Sequence, residues 1–172
     1  ISQRHQMEMN ESPLGVVARY QQRPPIDLDG IAHALGVRVY QMPLGSGVSG
    51  QIMRDKVKGG PSGFAIYVNS SEHPNRRRFT FAHELAHFIL HRDLIETGVV
   101  DDTMYRSAQL SDHYEVQANR MAADILMPVR LVKVWRVRER DLTRLAMLFG
   151  VSAQAMQIRL NGIDTGAVNR AS

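Results

Sequence analysis

Arg76-Arg77-Arg78-Phe79-Thr80-Phe81-Ala82-His83-Glu84-Leu85-Ala86-His87-Phe88-Ile89-Leu90-His91 is the stretch whose reading decides the fold. It contains His-Glu-x-x-His. Four residues along a helix bring two side chains onto one face, so His83 and His87 project toward a common point and can clamp a zinc ion. Glu84 lies beside that face, within reach of a water held there, and is the candidate general base for hydrolysis.

Phe79, Phe81, Ala82, Leu85, Ala86, Phe88 and Ile89 make the stretch apolar almost all round. That pattern predicts a helix in the centre of the core, beginning near Pro74 and running to about His91. Two histidines and a glutamate on such a helix need partners, because an uncompensated buried polar group costs on the order of 1–3 kcal/mol. Hydrogen bonds within the protein are one solution, and a metal with a bound water is another that satisfies all three at once. His91 continues the stripe one turn beyond His87. A turn advances about 5.4 Å, too far for good convergence on the same ion, so His91 is expected to support the ligands from behind.

The remainder of the chain fits this core. With 172 residues, 44% of them hydrophobic, the sequence is long enough for one well-buried core and short for two. It reads as one domain over residues 1–172. Residues 1–11 form a polar, unpatterned lead, 12–70 the N-terminal helices and a small sheet, 71–130 the metal-site helices, 131–161 a C-terminal helix pair and 162–172 a tail. No apolar run reaches eighteen residues and no charged-then-apolar leader precedes the fold, which gives the expectation of a soluble, cytoplasmic protein with no membrane contact. The chain has no cysteine, so a metal site must be built from His, Asp and Glu. The net charge is +4, with the excess in Arg76–Arg78 and Arg130–Arg144. A basic cluster can attract nucleic acid, but without interleaved aromatics these runs read first as solvated helix faces. The sequence sets no oligomeric state.

Ahead of the motif, Ser12-Pro13 opens a helix carrying Leu14, Val17, Ala18 and Tyr20, which ends before Pro24-Pro25. A second starts at Asp27 or Asp29 and stops at Gly36. Strands are predicted at Val37–Tyr40, Gly50–Arg54 and, most clearly, Phe64–Asn69, giving a sheet of about three strands directly before the motif helix. An extended peptide can add to an exposed edge of such a sheet. Residues 96–109, with Gly98 and the Asp101-Asp102 pair, read as a loop, or a lid over the site.

A catalytic zinc takes three protein ligands and keeps one position open. For the third ligand the sequence offers Asp112, His113, Glu115 and Asp124, all within a helical pattern in which Val116, Ala118, Met121, Ala122, Ile125 and Leu126 are apolar, Ser111 or Asp112 is the N-cap and Pro128 is the stop. Glu115 is best placed, in the first turns of a helix that must lay its apolar face on the motif helix. Asn119, one turn on, can orient a ligand or a substrate backbone. Val129–Val137 is a short helix or connector. Residues 141–160 then show helix, Gly-containing turn and helix with Ser152 as N-cap, as a helix-turn-helix does. On a DNA reader Gln154, Gln157 and Arg159 would face base edges, whereas an ordinary bundle corner would show the same spacing.

Arg78-Phe79-Thr80-Phe81-Ala82-His83-Glu84-Leu85-Ala86-His87 followed by Glu115-x-x-Ala118-Asn119-x-Met121-Ala122-Ala123-x-Ile125-Leu126-Met127-Pro128 resembles the ImmA/IrrE family of bacterial metallopeptidases, over about residues 26–160. The family usually has Phe where Met121 stands and Leu where Ile125 stands, conservative core exchanges. The resemblance implies an α+β fold with a zincin-like metallopeptidase core, a small three-stranded sheet packed on a mainly helical body and a C-terminal helix-turn-helix-like pair. It implies zinc, with manganese as the other metal considered, held by His83, His87 and Glu115, with Glu84 as catalytic acid and base. It also implies a protein substrate, a repressor of the helix-turn-helix type, whose cleavage relieves repression of a mobile element, a toxin-antitoxin module or a stress response. The competing reading is a non-enzymatic, metal-stabilised regulator that binds a partner protein or DNA through its C-terminal helix pair.

Overall fold

Local signals set the first elements where the sequence places them. In the computed structural model, which describes residues 11–96 and 109–168, helix α1 (Pro13–Tyr20) begins with Gly15 N donating to Ser12 Oγ at 3.1 Å and with Pro at a position whose N–H would be unpaired anyway. Helix α2 (Leu28–Ala34) is capped by Asp27, whose Oδ1 accepts from Gly30 N at 3.0 Å. It ends at Gly36, with φ +75°, a left-handed conformation in which a Cβ would be strained.

Three strands follow: β1 (Arg38–Met42), β2 (Gly50–Arg54) and β3 (Phe64–Asn69). The order is β1-β3-β2, with β1 parallel to β3 and β2 antiparallel to it. The central strand is buried at all of its positions, which explains why its sequence is a continuous apolar run rather than an alternation. On β1 and β3 the paired Tyr40 and Tyr67 stack at 5.4 Å.

Helix α3 (Pro74–Glu96) crosses beneath the sheet, and α4 (Gln109–Leu126) packs along α3. Phe81, Leu85 and Phe88 of α3 join Phe64, Ile66 and Val68 of β3 and Ala122, Ile125 and Leu126 of α4 in one core. Ala82 and Ala86 on α3 and Ala118 and Ala122 on α4 are fully buried, and the two helices pack closely along one another. Helices α5 (Val129–Arg138), α6 (Leu142–Phe149) and α7 (Ala153–Asp164) close the fold, with Leu131, Val132, Leu145, Phe149 and Met156 buried on the same core. The architecture is α+β, and among the described residues no helix is long and apolar enough to cross a membrane.

Several boundaries differ from the sequence expectation. Helix α3 runs past His91 to Glu96, and α4 begins at Gln109, which puts Ser111 and Asp112 inside its first turn rather than at the cap. Val116 points outward, 58% exposed, because it lies off the stripe formed by Ala118, Ala122 and Ile125. Helix α7 continues through Gly162 to Asp164, so the first residues of the expected tail are helical. Nor is the Arg76–Arg78 run a uniformly solvated face. Arg78 is half-buried, donates to Ile26 O at 2.9 Å and lies so close to Gly150 that a Cβ there would be 2.6 Å from Arg78 Nε. The candidate lid, with Asp101-Asp102, falls at residues 97–108, outside the described residues, as does the lead before residue 11.

Candidate metal centre

His83 and His87 lie one turn apart on α3, and the close approach of α4 brings Glu115 between them. His83 Nε2 is 3.2 Å from Glu115 Oε2, His87 Nε2 is 3.2 Å from Glu115 Oε1, and the two Nε2 atoms are 3.0 Å apart. A tetrahedral ion with bonds of about 2.0–2.1 Å keeps its donors roughly 3.3 Å from one another, so the spacing fits such an ion. Donor chemistry agrees. Two imidazole nitrogens and a carboxylate converging on one point form an electron-rich cluster that needs a cation, either a proton or a metal. His87 is buried, whereas the Glu115 side chain is 38% exposed, so the centre is closed on the core side and open toward solvent.

The charges are coupled accordingly. Burial pushes the Glu115 carboxyl up, but hydrogen bonds and charge from His83 and His87 outweigh it and hold the group well below the usual carboxylate range. For His83 burial acts downward, yet the Glu115 hydrogen bond, the nearby Glu84 and Glu115 charges and Asn119 together raise it. His87 moves the other way: burial lowers it, reinforced by the charges of His83 and His91, and the Glu115 hydrogen bond does not compensate. The two imidazoles thus shift in opposite directions, His83 up and His87 down.

Neighbouring groups orient the rings. His83 Nδ1 stands 2.9 Å from Asn119 Oδ1, so its N–H donates there and Nε2 faces the cluster with a lone pair. His91 is buried and its Nδ1 lies 2.9 Å from His87 Nδ1, behind the donors and not among them. His91 Nε2 meets Gln117 Oε1 at 2.8 Å, and Gln117 Nε2 meets exposed His113 Nε2 at 3.0 Å. The other third-ligand candidates are placed elsewhere: Asp124 pairs with Arg159 at 2.7 Å, and Asp112 is exposed.

Glu84 is buried beside the cluster. Edge strand β2 approaches it at Gly50, where an added Cβ would lie 3.5 Å from Glu84 Oε1, 2.9 Å from Tyr67 O and 2.4 Å from Thr80 Cγ2. Neither Gly50 nor Gln117 stood out in the sequence. Gln117 shares its helix with Glu115 and Asn119, a spacing that reads as ordinary helix surface. The significance of Gly50 depends on a contact from a different element.

In the C-terminal pair, Gln154 and Gln157 are exposed, but Arg159 is not. Its Nε donates to Met127 O at 2.7 Å and its guanidinium pairs with Asp124. The expectation that Arg159 faces a base edge is therefore corrected: it ties α7 to the end of α4.

The sequence profile of the IrrE N-terminal-like domain, a peptidase family, matches residues 32–161. The chain is 33% identical over 110 residues to the radiation response metalloprotease IrrE of Deinococcus deserti, covering 63% of this chain and 36% of that protein. It is 30% identical over 94 residues to the uncharacterized immunity region protein 2 of Bacillus phage phi105, covering 55% of this chain and 57% of that one. Among solved structures, a Mycobacterium tuberculosis transcriptional regulator superposes with a TM-score of 0.57 at 20% identity over 91% of this chain and 47% of that one, a likeness of fold. The chain thus spans less than two thirds of each of these relatives.

Proposed function

The chain belongs to the IrrE N-terminal-like peptidase family, and from that premise we propose that it is a zinc-dependent endopeptidase domain. The observation that carries this reading is the convergence of His83, His87 and Glu115, whose donor atoms lie within 4.8 Å of one another, with buried Glu84 alongside and one side open. His83, His87 and Glu115 would hold the ion. Zinc supplies, when bound, a Lewis acid that makes water a nucleophile near neutral pH. Glu84 takes the proton from the attacking water and delivers it to the leaving amine, and its burial keeps that exchange away from bulk solvent. As an outer strand of the sheet, β2 is placed to align an extended substrate backbone past Glu84 by hydrogen bonding, with Gly50 permitting the approach.

The substrate we propose is a helix-turn-helix repressor in the cytoplasm, whose cleavage relieves repression of a mobile element, a toxin-antitoxin module or a stress response. The likeness to a phage immunity-region protein and to radiation-response metalloproteases supports this context. A non-enzymatic regulator reading DNA through the C-terminal pair loses one of its three proposed contacts, since Arg159 is internal. The deciding experiment incubates the protein with the helix-turn-helix protein encoded beside it, without metal and with zinc or manganese. A defined fragment that requires both metal and Glu84 is expected. An intact substrate under all conditions rejects the proposal.

A further inference from the structure

The donor cluster is backed by a chain of four polar side chains that admits one consistent arrangement of hydrogens once Nε2 of His87 is committed to an ion. A neutral imidazole holding a metal through Nε2 carries its hydrogen on Nδ1. His87 Nδ1–H must then donate to His91 Nδ1, 2.9 Å away. That makes His91 the Nε2–H tautomer, which donates to Gln117 Oε1 at 2.8 Å. With its oxygen so occupied, the Gln117 amide turns its nitrogen to His113 Nε2 at 3.0 Å, and donors and acceptors match at every step.

We propose that Gln117 is a positioning residue of the metal centre: acting through His91, it holds His87 in the tautomer whose Nε2 lone pair faces the ion. The proposal rests on the metal-binding reading above. Its physical basis is the ambiguity of His91. A buried imidazole can present either nitrogen to His87, and if His91 carried its hydrogen on Nδ1, that hydrogen would confront the one on His87 Nδ1. The acceptor at Gln117 Oε1 selects the compatible tautomer, and the Tyr114 ring packs against the imidazole in a T-shaped contact with centroids 4.8 Å apart. Helix α4 then supplies three things to α3: Glu115 for the ion, Asn119 to orient His83 in one step, and Gln117 to orient His87 in two.

Gln117 is exposed, so its replacement leaves the core intact, and metal-free melting temperatures serve as the control for folding. Zinc affinity is measured by competition with a chromophoric chelator, and the ring tautomers of His87 and His91 by nitrogen-15 NMR of the metal-free protein, in which no ion fixes His87. Wild type should show Nδ1–H on His87 and Nε2–H on His91. Gln117→Leu should lower zinc affinity about 10–100-fold and leave His91 a mixture of tautomers. Gln117→Glu, which keeps an oxygen acceptor for His91, should restore both the affinity and the single tautomer. Wild-type affinity and one His91 tautomer in Gln117→Leu overturn the proposal, and so does a Glu variant as impaired as the Leu variant. Failure of wild type to bind zinc at all rejects the underlying metal reading, a result distinct from either of these.

Discussion

Gly50 and Thr80 leave no room for a side chain between them: a Cβ at position 50 would stand 2.4 Å from Thr80 Cγ2. The edge strand can press against α3 beside Glu84 only because the residue there is glycine. Gly50→Val should force β2 outward, costing about 1–3 kcal/mol as overpacking does, and reduce cleavage more than stability alone accounts for. Thermal unfolding and turnover at a temperature where both proteins are folded separate the two effects. Unchanged turnover in a folded Gly50→Val variant would show that β2 does not guide substrate.

Glu84→Gln keeps the shape of the site and removes the base. Zinc content should match wild type while cleavage falls by about 10²–10⁴, the range typical of a lost general acid–base group. Metal analysis beside a fragment assay checks both halves, and full cleavage with metal bound contradicts the role given to Glu84.

Glu115→Gln removes the negative charge between the two imidazoles without changing side-chain length. Zinc affinity should fall by at least about tenfold. His83, no longer raised by Glu115, should also titrate lower in the metal-free protein, as proton NMR of its ring would record. A His83 titration unaffected by the substitution would deny the coupling.

The shifts at His83 and Glu115 set a pH dependence. His83 is raised above its ordinary 6.5, so in the metal-free protein its stabilising contribution is full below that value and is lost as pH rises through the folded value. Glu115 is depressed below its ordinary 4.5, so its contribution is present above that value and is lost as pH falls toward the folded one. The pair thus supports the metal-free fold most in the window above 4.5 and below 6.5. Zinc must displace the His83 proton, so affinity should climb by up to about tenfold per pH unit and level off once His83 is neutral. Chelator competition from about pH 5.5 to 8 tests this across the imidazole range, and a flat profile would contradict it.

Arg159→Met should destabilise the protein by about 1–3 kcal/mol, since Met127 O loses a buried donor and Asp124 its partner. Zinc affinity should hold, because no donor moves. Chemical denaturation and chelator competition give the two numbers, and a variant as stable as wild type would mean the inward Arg159 contributes nothing to docking α7.

The candidate donor cluster was legible because its residues stand at fixed spacings. His83 and His87 share a helix, and Glu115 follows in the next one, whose apolar stripe dictates which way it faces. The helix caps were legible for a similar reason, since Ser12, Asp27 and Ser152 each act on the residue three positions on. Contacts between distant segments were hidden. Arg159 and Gln157 look alike in a helix-turn-helix pattern, and only distant partners, the carbonyl of Met127, 32 positions earlier, and the carboxylate of Asp124, distinguish the inward one. Arg78 reaches Ile26, 52 positions back, which no local charge count reveals. Gln117 matters because His91 needs an acceptor, a requirement set by the pairing of two helices.

The helices that carry the candidate donors, α3 and α4, each hold two fully buried alanines, the smallest side chains a packed helix can offer. The candidate donors are three side chains, and the aperture they define depends on how far apart the backbones of α3 and α4 stand. Exchanging Ala82, Ala86, Ala118 or Ala122 for a larger residue would wedge the helices apart and widen the spacing between Glu115 and the imidazoles. Small four-coordinate ions would then lose ground to larger ones that tolerate longer bonds. Discrimination among metals would in that way be stored in the packing, at positions that never touch the ion.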